Sequence, residues 1–251
     1  MRCVLDFFKK YRYNISMVNF IQLLASFLAV MVVVCLHEYA HAYVANKCGD
    51  PTPRLYGRLT LNPLAHFDPL GIVMFALIGF GWANPVPINP NNFKNYKRGC
   101  LLTSAAGVIM NYLCAFLFYP IFILVLKFVI PAFSGKYAEL FLFYLFYSIV
   151  VYSLSFCVFN LLPFYPLDGF RILDTLSKKR GKVFQFLRKN GHKILLGLIL
   201  ISALAKRIGF FSYFNVLGFI LNIAISVFGK PITLFWNWIF EFFGIFVPVI
   251  F

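Results

Sequence analysis

The run MVNFIQLLASFLAVMVVVCLHEYAHAYVAN, residues 17–46, decides what kind of chain this is. As a helix it extends about 45 Å, against roughly 30 Å for the hydrocarbon of a bilayer. Two further runs of the same character follow at 101–129 and 137–162. Residues 194–205, 208–228 and 232–251 close the chain, separated by Lys206-Arg207 and by Gly229-Lys230-Pro231. Of all 251 residues 61% are hydrophobic and 12% charged, about half the charged share of a water-soluble domain. A soluble enzyme is excluded. The expectation is an all-α polytopic membrane protein with five to six transmembrane helices.

The balance of 23 Lys+Arg against 8 Asp+Glu gives a net charge of +15. Nucleic acid would match such an excess, but the cations fall between apolar runs, as they do in cytosolic loops. Anionic lipid headgroups are therefore the expected counter-charge. Residues 171–193 hold eight basic side chains and one acid, which marks 173–193 as a basic cytosolic loop. Residues 1–16, with Arg2, Lys9, Lys10 and Arg12 beside Phe7 and Phe8, suit an amphipathic segment lying on the membrane surface. The apolar run after them is too long for the h-region of a cleavable signal. Residues 69–83 are short for a crossing and contain Gly71, Gly79 and Gly81, so they read as a re-entrant or β-like membrane-associated segment. In 84–99, Pro85, Pro87 and Pro90 preclude a helix. The six cysteines, Cys3, Cys35, Cys48, Cys100, Cys114 and Cys157, form no CxxC pair and read as small packing residues.

His37-Glu38-Tyr39-Ala40-His41 is an HExxH motif inside the first run. Side chains four apart project from one helix face on successive turns. Two imidazole nitrogens can then reach one tetrahedral ion while Glu38 stands beside the remaining water position. Chance would place the pattern in on the order of one such chain in a thousand. Ionisable groups inside an apolar span also cost several kcal/mol unless they pair or bind something. The competing reading is a pair of hydrogen-bonded core histidines with a structural Glu. A catalytic zinc site takes three protein ligands and a water. Asp168 is the strongest candidate for the third, because it follows an apolar run in a Pro-Leu-Asp-Gly turn where Gly169 lets the backbone bend toward a neighbouring helix. Its alternative is a carboxylate capping a helix terminus. His66 and Asp68 lie in a polar loop and suit turn-forming or capping roles better.

HEYAH, SAAGVIMN (104–111) and NLLPFYPLDG (160–169), carried on successive spans, together resemble the site-2 protease family of intramembrane zinc metalloproteases. GRLTLNPLAHFDPLG (57–71) and GWANPVPINP (81–90) are similar to its compact bacterial-type branch, which lacks PDZ and CBS domains. The likeness extends over about residues 30–172. It implies a metalloprotease core at 17–172 built on three catalytic helices, with further transmembrane helices at 194–251. Carried over position by position, it implies one Zn2+ per chain held by His37, His41 and Asp168, Glu38 as catalytic base, and Asn160 stabilising the transition state. The family's small-residue motif has Ala-Gly-Pro before its Asn. Here Val108 replaces the Pro, while Gly107 beside Ser104, Ala105 and Ala106 still permits close helix approach at Asn111.

The activity implied is hydrolysis of peptide bonds in membrane-embedded protein substrates by a zinc-activated water. A helical substrate must unwind first. Asn84, Pro85, Val86, Pro87, Ile88 and Asn89 form a candidate edge for holding it extended by strand addition, the plain alternative being a Pro-rich connector. A shared ion puts the C-terminal ends of the first and third spans at one depth, and the basic stretch after Asp168 puts that depth near the cytosolic side of the cell membrane. The N-terminus is then outside, against its own positive charge. Two rival functions remain. A metal transporter or channel would spread ligand sets along a pore, and an inactive relative that binds membrane proteins would have no use for Glu38.

Overall fold

The computed structural model describes residues 14–78, 81–132, 135–207 and 215–245. The expected surface segment at 1–16 therefore lies almost wholly outside the described residues. Among those described, helices dominate and no strand forms.

α1 (Ile15–Cys48) runs unbroken for 34 residues, as its sequence allows, since no Gly or Pro interrupts it. Gly49, at φ 111°, ends it in a left-handed conformation. Along one face every fourth residue is fully buried: Ala25, Ala29, Val33. The same row continues through His37, His41 and Ala45, all buried. The histidines are thus carried inward by the packing ridge that holds the helix in place.

α2 (Pro69–Ile78) follows. Phe67 bridges antiparallel to Ala83, and the Asn84 N–H donates to the His66 carbonyl at 2.8 Å. The stretch between them returns to its own starting point. A full crossing would part its ends by about 30 Å, so the excursion is closed, as a re-entrant segment requires.

α3 (Tyr96–Leu124) continues through a wide turn, Val125–Val129, to Ala132. It starts earlier than its apolar run because Asn95 caps it, accepting from the Arg98 N–H at 2.9 Å. α4 (Lys136–Leu161), α5 (Asp168–Leu176), α6 (Lys182–Arg207) and α7 (Val216–Phe242) complete the chain. Four helices among the described residues are long and apolar enough to cross a membrane: Ile15–Cys48, Tyr96–Ala132, Lys136–Leu161 and Leu217–Phe242.

That count is below the five to six expected, for two reasons. Gly229-Lys230-Pro231 does not divide two spans, because α7 passes through it. A proline removes one backbone donor, and packing around it can hold the helix through that loss: Ile232 is fully buried, and the Thr233 hydroxyl bonds the Lys230 carbonyl at 2.9 Å. Residues 194–205 are likewise no separate span, being the apolar half of α6, whose first half is basic. The stretch 173–193 is correspondingly helical except for 177–181, since Lys and Arg favour helix.

The chain divides into two compact units. One comprises Met1–Val33, Tyr112–Leu154 and Ile225–Phe251, with Tyr119, Phe122, Ile123, Leu154 and Ile232 at its core. The hydroxyls of Ser26 and Ser148 meet at 3.5 Å between α1 and α4. The other comprises Val34–Asn111 and Ser155–Ala224. Its apolar cluster of Leu195, Ile199 and Leu217 packs on Phe159, Leu162 and Leu167, immediately before Asp168.

Within the first unit Pro120 has no N–H to offer the Phe116 carbonyl four residues back. Trp236 of α7 supplies the donor, its indole Nε1–H lying 2.8 Å from that oxygen. Trp236→Phe keeps an aromatic ring and removes the donor. We expect it to cost about 1–3 kcal/mol, the desolvation cost of an orphaned buried carbonyl, read as a lowered thermal unfolding midpoint in detergent. An unchanged midpoint would contradict this account.

Candidate metal centre

The centre is assembled in the second unit from α1, α3 and the start of α5. A carbonyl oxygen only accepts, so the contact between His41 Nδ1 and the Thr103 carbonyl at 2.7 Å places a proton on Nδ1. The neutral ring then holds a lone pair on Nε2. That lone pair faces His37 Nε2 at 3.0 Å and Asp168 Oδ2 at 3.1 Å, and His37 Nε2 stands 3.4 Å from the same carboxylate oxygen.

Three electron-rich atoms converge in a buried site, which is the arrangement a cation relieves. Ligands about 2.0–2.1 Å from a tetrahedral zinc stand roughly 3.3 Å from one another, so this donor set of two imidazole nitrogens and one carboxylate oxygen fits zinc in chemistry and in spacing. Among the described residues this is the one group of three His, Cys, Asp or Glu side chains that converges in this way.

α3 shapes the pocket with a row of its own, Thr103, Gly107 and Asn111, again four apart. Thr103 holds His41. A methyl group at Gly107 would overlap His41 Nε2 and His37 Cε1, so only glycine lets the helix come this close. The Asn111 amide lies 2.9 Å from His37 Nδ1. On the far side, a side chain at Gly169 would overlap the Leu161 carbonyl, and this tight turn brings Asp168 back to the end of α4.

Glu38 is buried, and its Oε2 accepts from the Val86 N–H at 3.1 Å. The stretch 84–92 is thereby laid along the end of α1. Its other anchor is Asp50, fully buried, whose carboxylate accepts from the Asn89 N–H at 2.7 Å, the Asn92 Nδ2 at 2.8 Å, the Thr52 hydroxyl at 2.5 Å and the Thr52 N–H at 3.1 Å. The Arg58 guanidinium ties the carbonyls of Ala65 and Asn84.

Of the residues singled out from sequence, His37, His41 and Asp168 come together with Glu38 beside them. Asp168 is the first residue of α5, but its carboxylate turns to the histidines, and the preceding Leu167 gives no side-chain cap. Asp68 caps α2, accepting from the Gly71 N–H at 3.0 Å, and His66 Nε2 donates to the Thr60 carbonyl at 2.8 Å. Asn160 lies on α4 with its Nδ2 donating to its own helix, at the Phe156 carbonyl, 3.0 Å. Of the stretch 84–89, Val86 bonds Glu38, Asn84 is tied to His66 and Arg58, and Asn89 to Asp50. The cysteines described are free thiols, with Cys35, Cys114 and Cys157 buried. Thr103 and Asp50 escaped the sequence reading. The row 103-107-111 acquires meaning only against His37 and His41, and the partner Asn92 lies 42 residues beyond Asp50.

Although burial opposes it, the hydrogen bonds from Thr52, Asn92 and Asn89 lower the Asp50 pKa. A folded-state value below the unfolded one means full stabilisation above the ordinary carboxylate value of about 4, lost as pH falls through the lower folded value. The 84–92 loop should therefore stay protected from hydrogen exchange at pH 5 and open only below about pH 4. At pH 7, Asp50→Asn should raise its exchange roughly tenfold, corresponding to about 1.4 kcal/mol. Equal protection in both proteins would reject the clamp.

The sequence profile described as Peptidase family M50 matches residues 25–205. The chain is 39% identical over 152 residues to "Putative zinc metalloprotease YwhC" of Bacillus subtilis, a match covering 59% of this chain and 67% of that protein. It is 26% identical over 216 residues to "Putative zinc metalloprotease Rip2" of Mycolicibacterium smegmatis, covering 81% of this chain and 77% of the other. No solved structure matches it significantly. A profile that takes in everything from the middle of α1 to the end of α6, on a scaffold of long apolar helices, makes this chain a member of Peptidase family M50, the site-2 protease type of intramembrane zinc metalloprotease.

Proposed function

We propose that His37, His41 and Asp168 hold one zinc ion per chain and that Glu38 is the general base for cleaving peptide bonds of membrane-embedded proteins. The observation that carries this reading is the convergence of two imidazole nitrogens and a carboxylate oxygen beside a buried carboxylate. Bound there, zinc would lower the pKa of a coordinated water and polarise the scissile carbonyl. Glu38 keeps Oε2 on the Val86 N–H, so its other oxygen takes the proton from the attacking water and returns it to the leaving amine. Asn160 would serve the oxyanion by turning its amide away from the Phe156 carbonyl. A transport role would call for successive ligand sets, whereas one set converges among the described residues.

Asn84 to Asn89 would receive the unwound substrate as an added strand. The N–H groups of Asn84, Val86 and Asn89 are already committed, and Pro85 and Pro87 have none. The stretch would then offer an incoming chain the Ile88 N–H together with the carbonyl oxygens of Pro85, Val86 and Pro87. The centre lies nearer the cytosolic face of the cell membrane, because exposed Lys178, Lys179, Lys182, Arg188 and Lys189 follow it closely in the chain and suit anionic headgroups there.

The test is reconstitution of the purified protein with candidate single-span substrates. Glu38→Gln should keep its zinc by metal analysis and lose cleavage by a factor of about 10² to 10⁴. Equal cleavage by both proteins would remove Glu38 as base, and a wild-type protein free of zinc would refute the metal site.

A further inference from the structure

We propose that Asn111 is the positioning residue that sets the tautomer of His37, by accepting a hydrogen bond from its Nδ1–H and so aiming the Nε2 lone pair at the metal. This rests on zinc being held by His37, His41 and Asp168. The two histidines are otherwise treated unequally. His41 has a carbonyl, that of Thr103, to fix its Nδ1 proton, whereas the amide of Asn111, 2.9 Å away, stands at the corresponding place for His37.

A neutral imidazole carries one proton, and a ring that ligates through Nε2 must keep it on Nδ1, where it needs an acceptor. Asn111 is fully buried, and its Oδ1 has no hydrogen-bond partner. Amide nitrogen and oxygen exchange places on a half-turn of χ2, which brings that orphaned oxygen to the ring. An orphaned buried carbonyl is costly, so the half-turn is favoured whenever Nδ1 carries its proton. A carboxylate could accept equally well, but it would add a further negative charge in an apolar span, at a cost of several kcal/mol. Asparagine is the neutral acceptor of the right length. Its place on α3 four residues beyond Gly107, and eight beyond Thr103, matches the four-residue step from His41 to His37 on the antiparallel α1. The row thus holds both rings with one helix face.

The experiment measures zinc affinity of the full-length protein in detergent by competition with a chromophoric chelator. Asn111→Leu, of similar volume and without a polar atom, should weaken zinc binding about 10- to 100-fold, while Asn111→Asp, which keeps an acceptor, should restore it to within about threefold of wild type. Asn111→Ala, which adds no bulk, gives the same readout should the leucine variant fold poorly, and should also bind zinc at least about tenfold more weakly. Wild-type affinity in the leucine or alanine variant, or an aspartate variant as weak as leucine, overturns the role of Asn111. A wild-type protein that binds no zinc refutes the metal site itself, so the two failures are distinguishable.

Discussion

Two imidazole nitrogens and a carboxylate oxygen facing one another inside a buried pocket are the constraint on which the rest of this protein turns. His37 Nε2, His41 Nε2 and Asp168 Oδ2 stand between 3.0 and 3.4 Å apart, a separation at which unshared electron pairs repel unless a cation lies among them. Each neighbouring feature can be read as what that meeting demands. The four-residue step along α1 points both imidazoles the same way. Gly107 clears the volume the rings occupy, and the Thr103 carbonyl fixes one proton so that the opposite nitrogen is free. The turn at Gly169 folds α5 back so that a carboxylate arrives from a separate part of the chain.

A second layer of order connects this pocket to the loop beside it. Glu38 is joined to Val86, and twelve residues further along the same chain direction Asp50 gathers Thr52, Asn89 and Asn92. The end of α1 therefore carries two histidines, a buried carboxylate and the mooring of the 84–92 stretch in one continuous piece. Any movement of the loop is felt at Glu38. Since Pro85 and Pro87 lack donors and the remaining N–H groups here are largely engaged inward, the loop can be held firmly by the protein while its carbonyls stay available to an extended chain.

How much of this was readable in advance depended on the range of the interactions involved. HEYAH was legible because five consecutive residues and the pitch of one helix suffice to bring His37 and His41 together. Asp68 was legible as a cap for the same reason, its partner Gly71 being three residues away. The membrane class followed from composition, and the closed excursion of 69–83 from its length. The number of spans was not legible, because whether Pro231 ends a helix depends on what packs against Ile232 and Thr233, and whether 182–207 forms one helix depends on solvent and lipid around its two halves. The resemblance gives Asn160 a role at the centre; in the structure its amide bonds the turn behind it, while Asn111 stands against a histidine.

The apolar helices, the pair of histidines with their glutamate, and the glycine turn that makes Asp168 available all follow from spacing along a few neighbouring residues. Which acid meets the histidines, which backbone and amide groups hold the rings, and the mooring of the loop by Asp50 emerge from the packed fold. Those contacts link residues tens of positions apart, and their energies arise only once α1, α3 and α5 are packed together and water has been driven from between them.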